Sequence, residues 1–318
     1  MVALLAIHAL ALFPSAAAAQ VFPSRPIKIV VPFTPGSASD ILARVVGERL
    51  SAGLGQPIVV ENRPGAGGTI GAALVAKAQP DGYALLVVSA GHVVNPLIYG
   101  NLPYDTILDF AGVIPLGNLP SILTVTPGLG VDSVAELMAL AKSKPGSLNY
   151  ASGGVGSASH VNAEKFRAAT GIEAVHVPLK GAPEMVAETV AGRTHFGFNP
   201  IVATLPAIRD GRLVALAVSS PRRAAALPHI PTIAEAGVPG AQFDFRIGLL
   251  APARTPRGII ERLNSDIAAI LGNPEVSERL ARLGAESMPM APEAFDAYMR
   301  SELANLAPIM KAAGVAPN

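Results

Sequence analysis

The chain has 318 residues, 50% of them apolar and 15% charged, a balance that excludes a disordered chain and is long enough for two ordinary domains. Lys and Arg total 24 against 23 Asp and Glu, and the basic residues are scattered rather than striped, so there is no footprint for nucleic acid or an anionic membrane. Cysteine is absent, which removes thiol nucleophiles, disulfides and thiolate-bound metals together.

Residues 1–19 form an apolar stretch of signal-peptide length ending in Ala16-Ala17-Ala18-Ala19 before Gln20. Cleavage after Ala19 is expected, although no Lys or Arg precedes Arg25 to supply the usual basic n-region. No later segment reaches the roughly 18 apolar residues of a membrane span. The mature chain is therefore expected to be soluble and exported.

Beyond the signal, apolar β-branched runs alternate with helix-periodic segments. Strands are expected at 27–33, 58–61 and 83–89, with helices at 39–50 and 69–77 between them. An extended stretch at 121–126 leads to a second series: helix 133–143, strand 148–151, helix 159–169, strand 174–178, helix 183–191, strand 194–198, helix 201–210 and strand 213–219. The remainder gives a strand at 247–251 and helices at 256–271, 274–283 and 292–307. Strands joined by helices demand right-handed crossovers and mainly parallel sheets flanked by helices. The fold class is thus α/β with two lobes, a first lobe of 20–125 with 223–318 and a second of 126–222, joined by extended crossover segments that act as a hinge. The ligand site is expected at the seam.

Three uncharged loops follow strands and open helices: Pro35-Gly36-Ser37-Ala38-Ser39-Asp40, Gly65-Ala66-Gly67-Gly68-Thr69, and Ser152-Gly153-Gly154-Val155-Gly156-Ser157-Ala158-Ser159. A helix start carries unpaired N–H groups and the positive end of the macrodipole, so converging starts hold an anion without a fixed charge. The first loop reads equally as a plain capped turn or as a carboxylate site built from Thr34, Ser37 and the N–H groups of Ser37 and Ala38. The second lacks a complete dinucleotide spacing and shapes the turn between strand and helix. The third is not a P-loop, since no Lys follows it until Lys165. A carboxylate is satisfied by two or three N–H or O–H donors.

Catalytic patterns are weak. Ser157 and His160 lie close in sequence, but the G-x-S-x-G elbow is missing and no Asp is placed to orient His160. The six histidines stand apart without metal-ligand spacing. No cofactor or metal is expected.

The phrases Pro26-Ile27-Lys28-Ile29-Val30-Val31-Pro32-Phe33-Thr34-Pro35-Gly36-Ser37 and Val60-Glu61-Asn62-Arg63-Pro64-Gly65, followed by Pro80-Asp81-Gly82-Tyr83, Leu102-Pro103-Tyr104-Asp105, Leu148-Asn149-Tyr150-Ala151-Ser152, His176-Val177-Pro178 with Lys180-Gly181, and Leu249-Leu250-Ala251-Pro252, resemble the tripartite tricarboxylate transporter receptors, or Bug proteins. The resemblance spans the mature chain. It implies a type II-like periplasmic binding protein, monomeric, that closes on a small carboxylate and delivers it to the permease subunits of such a transporter. It also implies that the loops after the first strands of each lobe hold the ligand, partly through ordered water. The corresponding residues are Phe33, Thr34, Gly36, Ser37 and Ala38; Ser89, Ala90 and His92; and Ser152, Gly153, Gly156, Ser157 and Ser159, with Lys180 and Asn199. Two departures stand out: Leu179 replaces a Tyr, and His195-Phe196-Gly197-Phe198-Asn199 lacks both acids of the family pattern, which favours a plain organic acid over an amino acid. The alternatives are a hydrolase using Ser157 and His160, and an effector-sensing domain, the latter disfavoured by the absence of a helix-turn-helix before the first lobe.

Overall fold

The structure, a computed structural model, describes residues 22–243, 245–282 and 284–312; the expected signal peptide lies outside them. Strands β1 (Ile27–Val31), β2 (Ile58–Asn62) and β3 (Ala84–Ser89) run parallel, joined by helices α1 (Ala38–Leu54) and α2 (Thr69–Ala76). Both faces of such strands are covered, so β1 and β3 read as nearly continuous apolar runs rather than alternating ones. Helix α3 (Gly91–Ile98) follows, then β4 (Phe110–Leu119). The late strand β10 (Phe245–Pro252) inserts antiparallel between β3 and β4, giving the order β2-β1-β3-β10-β4.

The second sheet repeats this plan. β6 (Leu148–Ser152), β7 (Ala174–Pro178) and β8 (Phe196–Pro200) are parallel, and β5 (Ser121–Val125) lies antiparallel between β8 and β9 (Val214–Val218), in the order β7-β6-β8-β5-β9. Helices α4 (Val134–Ser143), α5 (Ala158–Thr170), α6 (Ala182–Val190) and α7 (Ile201–Arg209) connect it. Helices α8 (Arg257–Leu271), α9 (Pro274–Arg282) and α10 (Pro292–Ala312) follow β10. The two-lobe α/β expectation holds, with one antiparallel strand in each sheet.

The expected boundaries differ in two places. The stretch at 121–125, assigned to the first lobe, pairs as β5 in the second sheet, so the crossover falls at Pro120. The segment after β9 also stays with the second lobe: Thr232 bridges Val218, Phe243 N–H donates to Ser219 O, and Ile233, Val238 and Ala241 join the second core. Two elements were not expected. Gly112, Pro115 and Gly117 interrupt the apolar pattern of β4, yet the glycines lie where Asp296, Phe295 and the Glu286 carbonyl approach too closely for a Cβ, and Pro115 sits beside a register shift. Pro96 inside α3 hides that helix in the same way.

The lobes are closed on each other. Ala158 and Val161 of α5 pack into the first-lobe core, and the Tyr99 hydroxyl donates across the seam to Val155 O at 2.8 Å. Backbone meets backbone here: a Cβ on Gly91 would lie 2.5 Å from Gly156 O and 2.9 Å from Ala158 N.

Candidate functional site

The two lobes present the same tetrapeptide to the seam. Gly36-Ser37-Ala38-Ser39 opens α1, and Gly156-Ser157-Ala158-Ser159 opens α5. Their backbones match: Gly36 has φ +78° and Gly156 φ +80°, while Ser37 (φ −68°, ψ 159°) and Ser157 (φ −66°, ψ 157°) are both N-caps. Each serine accepts the N–H three residues on, Ser37 from Asp40 at 3.3 Å and Ser157 from His160 at 3.4 Å. After each left-handed glycine the serine N–H closes its own loop, Ser37 donating to Thr34 O and Ser157 to Gly154 O, both at 3.1 Å. β1 and β6 occupy equivalent places in their sheets, so the repeats face each other.

A third helix start joins them. Gly181 and Ala182 open α6, and the cavity between the three starts is lined by Phe33, Ser37, Ala38, Ser39, Ser89, Gly153, Ser157, Ala158, Ser159, Gly181, Ala182, Met185 and Pro200. It holds five serines and no ionisable side chain. Its free interior is about 30 Å³, widening to about 370 Å³ with the mouth included. First-turn N–H groups have no intrahelical acceptor, so those of Ala38, Ser39, Ala158, Ser159 and Ala182 are available to an anion. The arrangement can orient a carboxylate by hydroxyls, N–H groups and three dipoles; it holds no base or nucleophile poised for turnover.

Behind each repeat sits a polar anchor, and the two differ. In the first lobe, the Asp40 carboxylate accepts from Gly36 N–H at 2.9 Å, from Arg44 Nε at 3.0 and 3.1 Å, and from Asn62 Nδ2 at 2.9 Å. Burial raises its pKa, but these hydrogen bonds and the Arg44 charge outweigh that and leave it below the usual value. In the second lobe the anchor is a ring. Gly156 N–H donates to His160 Nδ1 at 3.2 Å, so the neutral ring carries its proton on Nε2, 4.0 Å from Glu164 Oε1. His160 stacks on His176 with centroids 4.2 Å apart, and His176 stacks on Tyr150. Ser152 Oγ lies 2.5 Å from His176 Nε2 and accepts from Gly154 N–H at 3.1 Å. Glu164 accepts from Tyr150 Oη and Arg167. Burial pushes both histidines down to about 4, helped at His160 by the Arg167 charge and at His176 by His160 itself.

Of the residues expected at the site, Phe33, Ser37, Ala38, Ser89, Gly153, Ser157 and Ser159 line the cavity. The others fall elsewhere. Thr34 packs its buried hydroxyl on Gly181. Gly36 and Gly156 serve the anchors rather than the cavity, and Ala90 leads into α3. Ser152 is fully buried and braces the loop from below. His92, expected in a loop beside the ligand, is buried in the first core, stacked on Tyr104 and edge-on to Phe110, with burial lowering its pKa to about 4. Asn199 is fully buried and donates to Thr124 Oγ1 at 3.0 Å, while its neighbour Pro200 reaches the cavity. Lys180 lies outside, in an adjoining chamber. Ser39, Ala158, Gly181, Ala182, Met185 and Pro200 were missed. The repeated Gly-Ser-Ala-Ser was a legible signal for the first two; the α6 start, capped by Gly181 with no side-chain bond, offered little.

The hydrolase reading does not fit this geometry. Ser157 Oγ is engaged by His160 N–H and Ser159 Oγ, and the His160 ring faces Gly156 and Glu164 instead of that hydroxyl. Among the described residues, no group of three or more His, Asp or Glu is placed to hold a metal ion, and no helix is long and apolar enough to cross a membrane.

The family model of the tripartite tricarboxylate transporter family receptor matches residues 42–315. The chain belongs to that family. A relative from Pseudomonas sp. (strain P51), described as a UPF0065 protein in the tcbD-tcbE intergenic region, is 40% identical over 298 residues, covering 92% of this chain and 89% of the relative. Among solved structures, Rpa4515 of R. palustris with adipate superposes with a TM-score of 0.90 at 38% identity, over 93% of this receptor and 100% of that chain. MatC (Rpa3494) from Rhodopseudomonas palustris, with bound malate, gives a TM-score of 0.87 at 32% identity over 91% of this receptor and 99% of that chain.

Proposed function

We propose that this receptor works in the periplasm, captures a small organic carboxylate in the seam cavity, and delivers it to the membrane permease of a tripartite tricarboxylate-type transporter, acting as a monomer and without turnover. The observation that carries this reading is the convergence of three helix starts, two of them the same Gly-Ser-Ala-Ser, on one uncharged cavity. An uncharged donor set suits reversible capture, because neither side chain nor ligand must be neutralised by a buried partner on release. The adipate and malate seen on relatives support a carboxylate as the ligand class.

Titration of the purified mature protein against mono- and dicarboxylates, followed by melting temperature, tests the reading. A ligand that binds only the native state adds RT ln(1 + [L]/Kd) to stability, about 2.7 kcal/mol at a hundredfold excess over Kd. A carboxylate panel that moves the transition nowhere at millimolar concentration rejects it.

A further inference from the structure

A second cavity lies where the chain crosses between the lobes, and it shares no lining residue with the seam cavity. Its free volume is about 330 Å³, within the range of small-molecule sites. One wall belongs to the first lobe: Asn118 at the end of β4, Arg246 at the start of β10, and the 286–288 segment. Glu286 ties that segment to Asn118 by two backbone hydrogen bonds, of 2.8 and 2.9 Å. The other wall, residues 220–223, follows β9 of the second lobe, and Pro120 marks the crossover itself.

The charge around this cavity is lopsided. Three guanidinium groups, those of Arg222, Arg223 and Arg246, border it against one carboxylate, Glu286. Arg246 is stacked over the Tyr298 ring, 4.2 Å from its centroid. Arg222 reaches across the lobes to Glu286 Oε2 through Nη2 at 3.1 Å, but with the two side chains 83% and 57% exposed, water screens this pair and it holds the lobes weakly. Arg223 uses Nε on Glu235 at 2.8 Å and Nη1 on Pro228 O at 3.2 Å. A guanidinium carries five N–H donors, so Arg222 and Arg223 keep donors for a further acceptor. The seam site has no fixed charge, whereas this one is built of planar forks that match phosphoryl oxygens bidentately.

We infer that this cavity is an effector site for a compact phosphoryl polyanion, which bridges Arg222 and Arg223 of the second lobe to Arg246 of the first and stabilises the closed receptor. Walls drawn from both lobes keep this spacing only in the closed arrangement, so an anion bound across them favours closure. Closure is also what the seam ligand needs, so each ligand raises the affinity of the other by the same factor. That coupling rests on the receptor reading; the anion site itself does not.

Calorimetry at constant ionic strength, with inorganic pyrophosphate as the probe, is expected to find one site. Replacing the two exposed arginines together, Arg222→Gln with Arg223→Gln, is expected to weaken binding by roughly tenfold or more. Glu286→Gln, which removes the competing carboxylate, is expected to tighten it. Small-angle scattering is expected to show pyrophosphate contracting the unliganded receptor, and saturating pyrophosphate to tighten adipate by roughly fivefold. Absence of binding, or an affinity unmoved in the double variant, overturns the site. Mutual exclusion of adipate and pyrophosphate places the anion in the seam and overturns it too. Binding with neither contraction nor tighter adipate overturns the effector role. Pyrophosphate binding and contraction in a protein that takes no carboxylate supports the site and rejects the receptor reading alone.

Discussion

Gly156 donates its N–H to Nδ1 of His160 at 3.2 Å, and that bond exists only while the imidazole is neutral. Its first-lobe counterpart uses the Asp40 carboxylate, which has a lowered pKa. The two halves of one anion site are thus anchored by acceptors of different charge, a carboxylate and a neutral ring, and protonation weakens both.

Stability is therefore expected to fall in two steps on acidification. His92, His160 and His176 have folded pKa values of about 4 against an ordinary 6.5. The folded state binds fewer protons than the unfolded one, so stability is full above about 6.5 and declines as pH falls towards 4, by on the order of 3 kcal/mol for a fully buried ring. Asp40 and Glu61, with lowered values, add a second loss below about 4.5 as the folded state resists their protonation. Melting temperature against pH checks both; His160→Asn, which keeps an acceptor for Gly156, is expected to flatten the upper step.

Ser37→Ala and Ser157→Ala each remove an N-cap and a cavity hydroxyl. Each is expected to cost about 1 kcal/mol of stability and to weaken carboxylate binding. Ser133 caps α4 in the same manner but lies away from the cavity, so Ser133→Ala is expected to lower the melting temperature without changing Kd. Equal Kd values across all three variants are the result that contradicts this.

Gly91→Ala places a methyl against Gly156 O and Ala158 N. Gly91 has ordinary helical geometry at the start of α3, so the penalty falls on closure rather than on the fold of either lobe. Small-angle scattering is expected to show a larger radius of gyration, and affinity to fall by roughly tenfold or more, with little change in unliganded melting temperature.

Tyr99→Phe deletes one inter-lobe hydrogen bond and leaves Val155 O unpaired. A loss of about 1 kcal/mol from the closed state corresponds to roughly a fivefold weaker Kd. Stopped-flow measurement is expected to find that change mainly in the dissociation rate.

Most elements were readable because buried parallel strands and capped helices leave strong local patterns. Ser133 stands at the expected start of α4 and caps it, whereas the caps of α1 and α5 are Ser37 and Ser157, two residues before the expected starts at 39 and 159. β5 was readable as extended, but an apolar run carries no mark of which sheet it joins, and its partners β8 and β9 lie far along the chain. The cavity was legible where a helix start uses a side-chain cap and obscure at α6, where Gly181 supplies only backbone. His92 and Ser152 misled for one reason: a polar side chain in a loop-like stretch looks available, and only the tertiary fold shows that Phe110 and Tyr104 enclose the first and His176 engages the second.

The late strand β10 imposes an order of assembly. Everything the second sheet needs lies between residues 121 and 243, so that lobe can form as soon as this contiguous segment is available. The first sheet lacks its inner strand β10 until the C-terminal part of the chain arrives. A chain truncated before residue 245 would leave β3 and β4 without the strand that joins them. In such a chain half of the anion site rests on a sheet that cannot close, so nascent receptor stays unable to clamp ligand until synthesis is nearly finished.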